Sequence, residues 1–324
     1  MMQRGITRRG FATWALASAA APLAAQDAAA FDTLEFDWVD AARSRPVPVR
    51  LYWPQAASPA AKAPLLLFSH GIGGSRRGYT YLGRHWASHG WASLHVQHVG
   101  SDRNLWSGNP LGIIARLRDA AQDSEAAERP KDLRFALDQL LHGELAPRID
   151  ATRVVAAGHS YGANTALLAA GARVQRQGRT IDLHDARVRA AILLSAPPFY
   201  GADDLPAILG AVRVPTLHIT ATQDVIHIPG YFSGVDDRVA VYEAIGSTRK
   251  ALAVFDGGSH SMFTDRRGTG GVTLNPEVKA ATQALSLAFL GAVFGGADAD
   301  ADALQRWPEQ YRPILARYVG VPGP

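Results

Sequence analysis

Short apolar runs alternate along the chain with Ala- and Leu-rich stretches of helical spacing. Leu34–Val39 and Val47–Trp53 read as an antiparallel hairpin. Ala63–Ser69, Trp91–Val96, Arg153–Ala157, Ala190–Leu194, Val214–Ala221 and Ala251–Phe255 are runs of the length and composition of buried strands. Between them, Gly78–His89, Arg129–Leu141, Ala163–Ala170, Val239–Ile245 and Glu277–Phe294 read as helices. A last helix is expected over Leu304–Tyr318. Strands separated by helices imply an α/β class, with a mostly parallel, doubly wound sheet and helices on both faces.

Two segments break this rhythm. Residues 99–128 form a polar insertion that contains Trp106 and Pro110 and reads equally as part of a small lid or as a surface loop. Asp298, Asp300, Asp302 and Glu309 imitate the ligand spacing of a calcium loop. Ala303 stands where that loop needs glycine and Pro308 interrupts it, so the segment reads as a charged linker. No internal repeat is seen.

Composition changes the picture mainly at the N-terminus. Thr7-Arg8-Arg9-Gly10-Phe11 carries a twin arginine and precedes an apolar run from Ala12 to Ala25. Residues 1–30 therefore read as a twin-arginine export signal, cut after Ala25 or Ala30, with a periplasmic or secreted product. The run is too short and too broken for a stable membrane span; an N-terminal anchor helix is the other reading. Residues 31–324 are left as a single domain. The formal charge of +4 includes Arg4, Arg8 and Arg9, so the exported chain carries about +1 and has no case for nucleic acid. The absence of cysteine excludes disulfides, thiolate metal sites and a cysteine nucleophile.

The chemistry concentrates in Gly158-His159-Ser160-Tyr161-Gly162, which has the form G-x-S-x-G. A predicted strand precedes it and a predicted helix follows it, the context of a nucleophile elbow. Gly158 and Gly162 leave room for the sharp turn, and Ser160 projects its hydroxyl near the positive end of the helix. A serine hydroxyl needs a base, and the base needs an orienting acid. Asp224 follows the strand that ends near Ala221, and His260 lies in a Gly-rich loop after Ala251–Phe255. Both fall at the end of the sheet where ligands bind, in the chain order Ser, Asp, His. Asp203, Asp204, Asp236 and Asp237 are rivals without a preceding strand and read as solvated loop charges. His218 lies inside a strand, and His227 follows too closely on the acid.

A Gly-rich loop, His70-Gly71-Ile72-Gly73-Gly74-Ser75, follows the strand Ala63–Ser69. Gly71 and Gly73 give it the freedom to aim a backbone N–H at a carbonyl oxygen. The N–H of Tyr161, next after the serine, is the second donor. The spacing fits neither a dinucleotide loop nor a P-loop.

Phe68–Gly73, Ala87–Trp91, the elbow and Ser259–Phe263 together resemble the α/β-hydrolase superfamily. More narrowly, they look like the platelet-activating-factor acetylhydrolase group, whose pattern bacterial predicted dienelactone hydrolases share. The resemblance spans about residues 45–295 and implies Ile72 as the first oxyanion donor. Dienelactone hydrolases carry cysteine at the elbow, whereas this chain carries serine. The expected function is a serine carboxylic-ester hydrolase acting on a small-molecule ester, without cofactor or metal. A polyester or cutinase-like hydrolase and an acyltransferase share the same elbow. Outside enzymes, a binding protein on this scaffold is the alternative.

Overall fold

The computed structural model describes residues 30–202, 204–228, 230–295 and 300–321; the twin-arginine segment, Asp203 and Asp298 lie outside them. The strands are β1 (Phe31–Asp40), β2 (Arg45–Pro54), β3 (Ala63–Ser69), β4 (Ala92–Val96), β5 (Ile149–His159), β6 (Arg173–Arg176), β7 (Arg179–Asp182), β8 (Val188–Leu194), β9 (Thr216–Gln223), β10 (Ile226–Ile228), β11 (Tyr231–Ser233), β12 (Lys250–Ser259) and β13 (Leu315–Val319). The helices are α1 (Thr80–Ser88), α2 (Ile113–Ala120), α3 (Asp123–His142), α4 (Tyr161–Ala169), α5 (Leu205–Leu209), α6 (Val235–Ala244), α7 (Leu274–Phe294) and α8 (Asp300–Gln310).

Nine strands form one sheet in the order β1-β2-β4-β3-β5-β8-β9-β12-β13. From β4 to β12 every neighbouring pair is parallel. The expected hairpin β1–β2 joins antiparallel at one edge. The parallel strands are apolar along nearly their whole length because both faces are covered. Side chains alternate between the faces. Leu65, Leu67, Val154 and Ala156 enter a core with Leu133 and Leu137 of α3 and Ala166 and Leu167 of α4. Leu66, Phe68, Val155 and Ala157 enter the opposite core with Trp86 of α1 and Leu285 and Phe289 of α7. Truncating a fully buried residue such as Phe289 to alanine should destabilise the fold by about 3–5 kcal/mol.

The chain leaves β3 to form β4 on one side and returns to form β5 on the other. That reversal makes the C-terminal ends of β3 and β5 a topological switch point, where a crevice opens. The loop after β3 and the elbow after β5 flank it.

Three elements differ from expectation. The helix expected over Leu304–Tyr318 ends at Gln310; a 3₁₀ turn (Arg312–Ile314) and strand β13 replace its second half. Pro313 has no N–H to donate and disfavours helix at Arg312. The Leu-Ala-Arg-Tyr-Val that follows pairs antiparallel with β12 and closes that sheet edge. The helix expected from Arg129 begins six residues earlier, at Asp123, with Pro130 inside it. Residues 99–128 hold two 3₁₀ turns, α2 and the first turns of α3. α7 is long and apolar enough to cross a membrane, but its buried residues, Val278 to Leu290, pack against the sheet.

Candidate active site

Ser160 sits between the last residue of β5 and the first of α4 with φ 56° and ψ −124°. A non-glycine residue with positive φ is strained, and the surroundings hold it there. Its N–H donates to the Leu194 carbonyl of β8 at 2.8 Å, and its carbonyl accepts from Ala163 N–H at 2.8 Å. A side chain at Gly162 would collide with the Ser69 carbonyl, and one at Gly158 with the Gly162 carbonyl. The motif's glycines are thus required by close backbone approach.

His260 and Asp224 complete a line from the serine. Ser160 Oγ lies 2.8 Å from His260 Nε2, and His260 Nδ1 lies 2.6 Å from Asp224 Oδ1. Asp224 directly follows β9 and is fully buried. Thr220 Oγ1 donates to Asp224 Oδ2 at 2.7 Å, and Arg238 Nη2 stands 3.6 Å from Oδ1. Burial pushes the Asp224 carboxyl up, but the His260 hydrogen bond, the imidazole charge and Arg238 outweigh it. The net result is a carboxyl held well below the ordinary range. A register shift late in β12, where Gly257 and Gly258 have positive φ, carries His260 into a 3₁₀ turn facing the elbow.

The loop after β3 accounts for its donors one by one. Gly71 N–H donates to Tyr79 Oη, Gly73 N–H to the Ser101 carbonyl and Gly74 N–H to the Gly71 carbonyl. Among the described residues, the N–H groups of Ile72 and Tyr161 have no protein partner. Both residues, with Ser160 and His260, line one cavity of about 1170 Å³. Only Gly73 of the expected pair holds a positive φ, of 71°, and a side chain there would strike the Trp106 indole. Gly71 is glycine for space: a Cβ would stand 3.2 Å from His159 Nδ1 and 3.3 Å from Ser160 Cβ.

Residues 41–104 match the family model for platelet-activating factor acetylhydrolase, isoform II. That span contains β2, β3, the Gly-rich loop, α1 and β4, and stops before the elbow. Among solved structures, a ferulic acid esterase from Streptomyces cinnamoneus is similar, with a TM-score of 0.60 and 24% identity over 86% of this chain and 94% of that one. The chain has the α/β-hydrolase fold. The family match indicates an ester-hydrolysing enzyme. A search of curated proteins gave no match.

Beneath the Gly-rich loop after β3 lies a charged network that the sequence did not reveal. The Arg129 guanidinium is fully buried and donates to Thr165 Oγ1, Ser101 Oγ, Ser69 Oγ and the His70 carbonyl. It also stacks on the Tyr161 ring at 4.4 Å. Burial lowers its pKa to about 10, so it keeps its charge at neutral pH. Ser69 links it through His98 to Asp132, and Ser101 links it to Glu125. One buried cation therefore braces the two segments that carry Ile72 and Tyr161.

Of the rival acids, Asp204 caps α5 by accepting from Ala207 N–H. Asp237 accepts from Gly234 N–H at the start of α6, and Asp236 is exposed beside it. His218 is buried within β9, and His227 is exposed on β10. The insertion 99–128 forms one wall of the cavity. Trp106 Nε1 donates to the Gly73 carbonyl, and Asp102 bridges to Gly74. Thr220, Arg238, Tyr79 and Arg129 were not singled out from sequence as site residues. Thr220 alone had a local signal, an in-strand hydroxyl four positions before the acid.

Proposed function

We propose that this hydrolase cleaves carboxylic esters through an acyl-enzyme on Ser160, with His260 as base then acid and Asp224 as the orienting carboxylate. The observation that carries the reading is the unbroken line Asp224–His260–Ser160, 2.6 and 2.8 Å long, at a cavity that Ile72 and Tyr161, whose N–H groups have no protein partner among the described residues, also line. Ser160 Oγ attacks the ester carbonyl as its proton passes to His260 Nε2. The oxygen turns anionic and accepts from the two N–H groups, each worth about 3 kcal/mol in the transition state. The imidazolium is stabilised by the ionised Asp224 and then protonates the departing alkoxide. Water, deprotonated by the same imidazole, attacks the acyl-enzyme, and the acid leaves as Ser160 recovers its proton.

The cavity volume of about 1170 Å³ exceeds the range of roughly 300–1,000 Å³ usual for small-ligand sites. Trp106, Tyr161, Phe199, Tyr200 and Tyr231 line it. These features, and a fold shared with a ferulic acid esterase, support esters with a bulky aromatic acyl group. The test is a panel of acetyl, long-chain and hydroxycinnamoyl esters against wild type and Ser160→Ala. The variant should lose on the order of 10⁶ in kcat. Retention of more than about a tenth of the activity, far above that expectation, would remove Ser160 from the mechanism. The protein is further proposed to be exported by its twin-arginine segment. Arg8→Lys with Arg9→Lys should leave precursor in the cytoplasm, and unchanged export would point to another route.

A further inference from the structure

Acyl transfer requires three distant pieces of chain to keep their separation closely: the loop after β3, the elbow and the His260 turn. One line of hydrogen bonds runs through all three. Gly71 N–H donates to Tyr79 Oη at 3.2 Å. Tyr79 Oη lies 2.8 Å from His159 Nδ1. His159 Nε2 lies 3.0 Å from the His260 carbonyl oxygen. A carbonyl only accepts, so Nε2 carries the His159 proton. Burial first, then the neighbouring His260, lowers His159 to about 3, so the ring is neutral and Nδ1 accepts. The Tyr79 hydroxyl therefore donates to Nδ1 and uses a lone pair for Gly71. Every group in the line has one consistent direction.

Two further observations mark the line as built. Tyr79 holds φ 58° and ψ 36°, a left-handed backbone that a bulky aromatic residue rarely adopts. Such strain persists where the surroundings fix it, and it clusters at working sites. Tyr79 and His159 are also buried, at 4% and 3% exposure, and the His159 and His260 rings lie 4.7 Å apart. By engaging Gly71 N–H, Tyr79 leaves Ile72 N–H as the loop's outward donor.

We propose, resting on the acyl-enzyme reading above, that Tyr79 and His159 are positioning residues that tie the oxyanion loop to the backbone of His260 across the elbow. The test compares kcat and KM for Tyr79→Phe, His159→Leu, the double variant and His159→Gln, with rates counted per active site from the acyl burst. Tyr79→Phe should lower kcat about tenfold with KM within about twofold, since the tie acts on alignment and not on substrate contact. The double variant should be no slower than the slower single variant, because one line is broken once. His159→Gln has an acceptor and a donor on one amide and should recover kcat to within about threefold of wild type. Unchanged kcat in Tyr79→Phe would overturn the proposal, as would a loss confined to KM or multiplicative losses in the double variant. Should His159→Leu fail to fold, Tyr79→Phe and His159→Gln decide the matter. An active Ser160→Ala would sink the acyl-enzyme reading, whereas an inert Ser160→Ala beside a fully active Tyr79→Phe sinks the tie alone.

Discussion

The floor of the cavity and its walls are built in different ways. On the floor, Ser160 and Asp224 stand at strand ends within a sheet covered on both sides, 6% and 0% exposed. Their neighbours are held by bonds from several elements: Leu194 on Ser160, Thr220 on Asp224, Arg129 under the oxyanion loop. The walls come from the insertion 99–128 and from the small hairpin β10–β11. Of the residues lining the cavity there, Trp106 is 49% exposed and Val225, just before β10, 47%, and the Trp106 side chain is held by one bond, to the Gly73 carbonyl. A floor residue cannot shift without breaking a parallel ladder. A wall residue can change while the ladder stays. On the function proposed above, bond making falls to the rigid part and choice of ester to the exposed part.

The sharpest way to break this division is at the acid. Asp224→Asn should cut kcat by up to about 10⁴ and leave the fold intact, since Thr220 and Arg238 still surround the position. Asp236→Asn, on the exposed start of α6, should do nothing measurable; the opposite pattern would overturn the acid assignment. Next comes the oxyanion loop. Gly73→Val forces a positive φ on a β-branched residue and drives it into Trp106, so kcat should fall about 10²–10³-fold. Ile72→Ala keeps its N–H and should be mild. A change in KM alone for Gly73→Val would make the loop a contact surface instead.

The wall gives a smaller effect. Trp106→Ala should raise KM for bulky esters about three- to tenfold with kcat within about threefold. A kcat loss as large as that of Gly73→Val would erase the distinction between floor and wall. The pH profile sharpens it last. Asp224 is held below its ordinary range, so its contribution is present above that range and is lost only as pH falls through the lowered value. His159, at about 3, is neutral above it. Neither changes charge between about pH 5 and 9, so neither adds a proton to the acid limb of kcat/KM, whose slope should not exceed one. A slope of two would mean that a second floor group titrates.

The same division decides what could be read from the chain. Gly158–Gly162, Asp224 and His260 were legible because each follows an apolar strand, and the strand fixes where the next residue emerges. The parallel sheet was legible for the same reason. β13 was not, since Leu304–Tyr318 has helical spacing and only Pro313 with the open edge of β12 redirects it. Residues 99–128 gave no periodicity to decide between lid and loop; their bonds to Gly73 and Gly74 are tertiary. Arg129 read as the start of an ordinary helix, although its side chain is spent beneath the loop after β3. Tyr79 and His159 were invisible as a pair because eighty residues separate them. Local pattern reveals where backbone ends lie, whereas contacts across the switch point depend on the finished fold.

The central claim is that one serine on the floor carries the acyl group. A fluorophosphonate reacts by losing fluoride to a serine Oγ that a neighbouring imidazole activates. Incubation of the purified protein, followed by mass mapping of the modified peptide, should give one label per chain on Ser160, with ester hydrolysis lost in proportion. Labelling of a different residue, or unlabelled protein that still hydrolyses esters, would contradict the account.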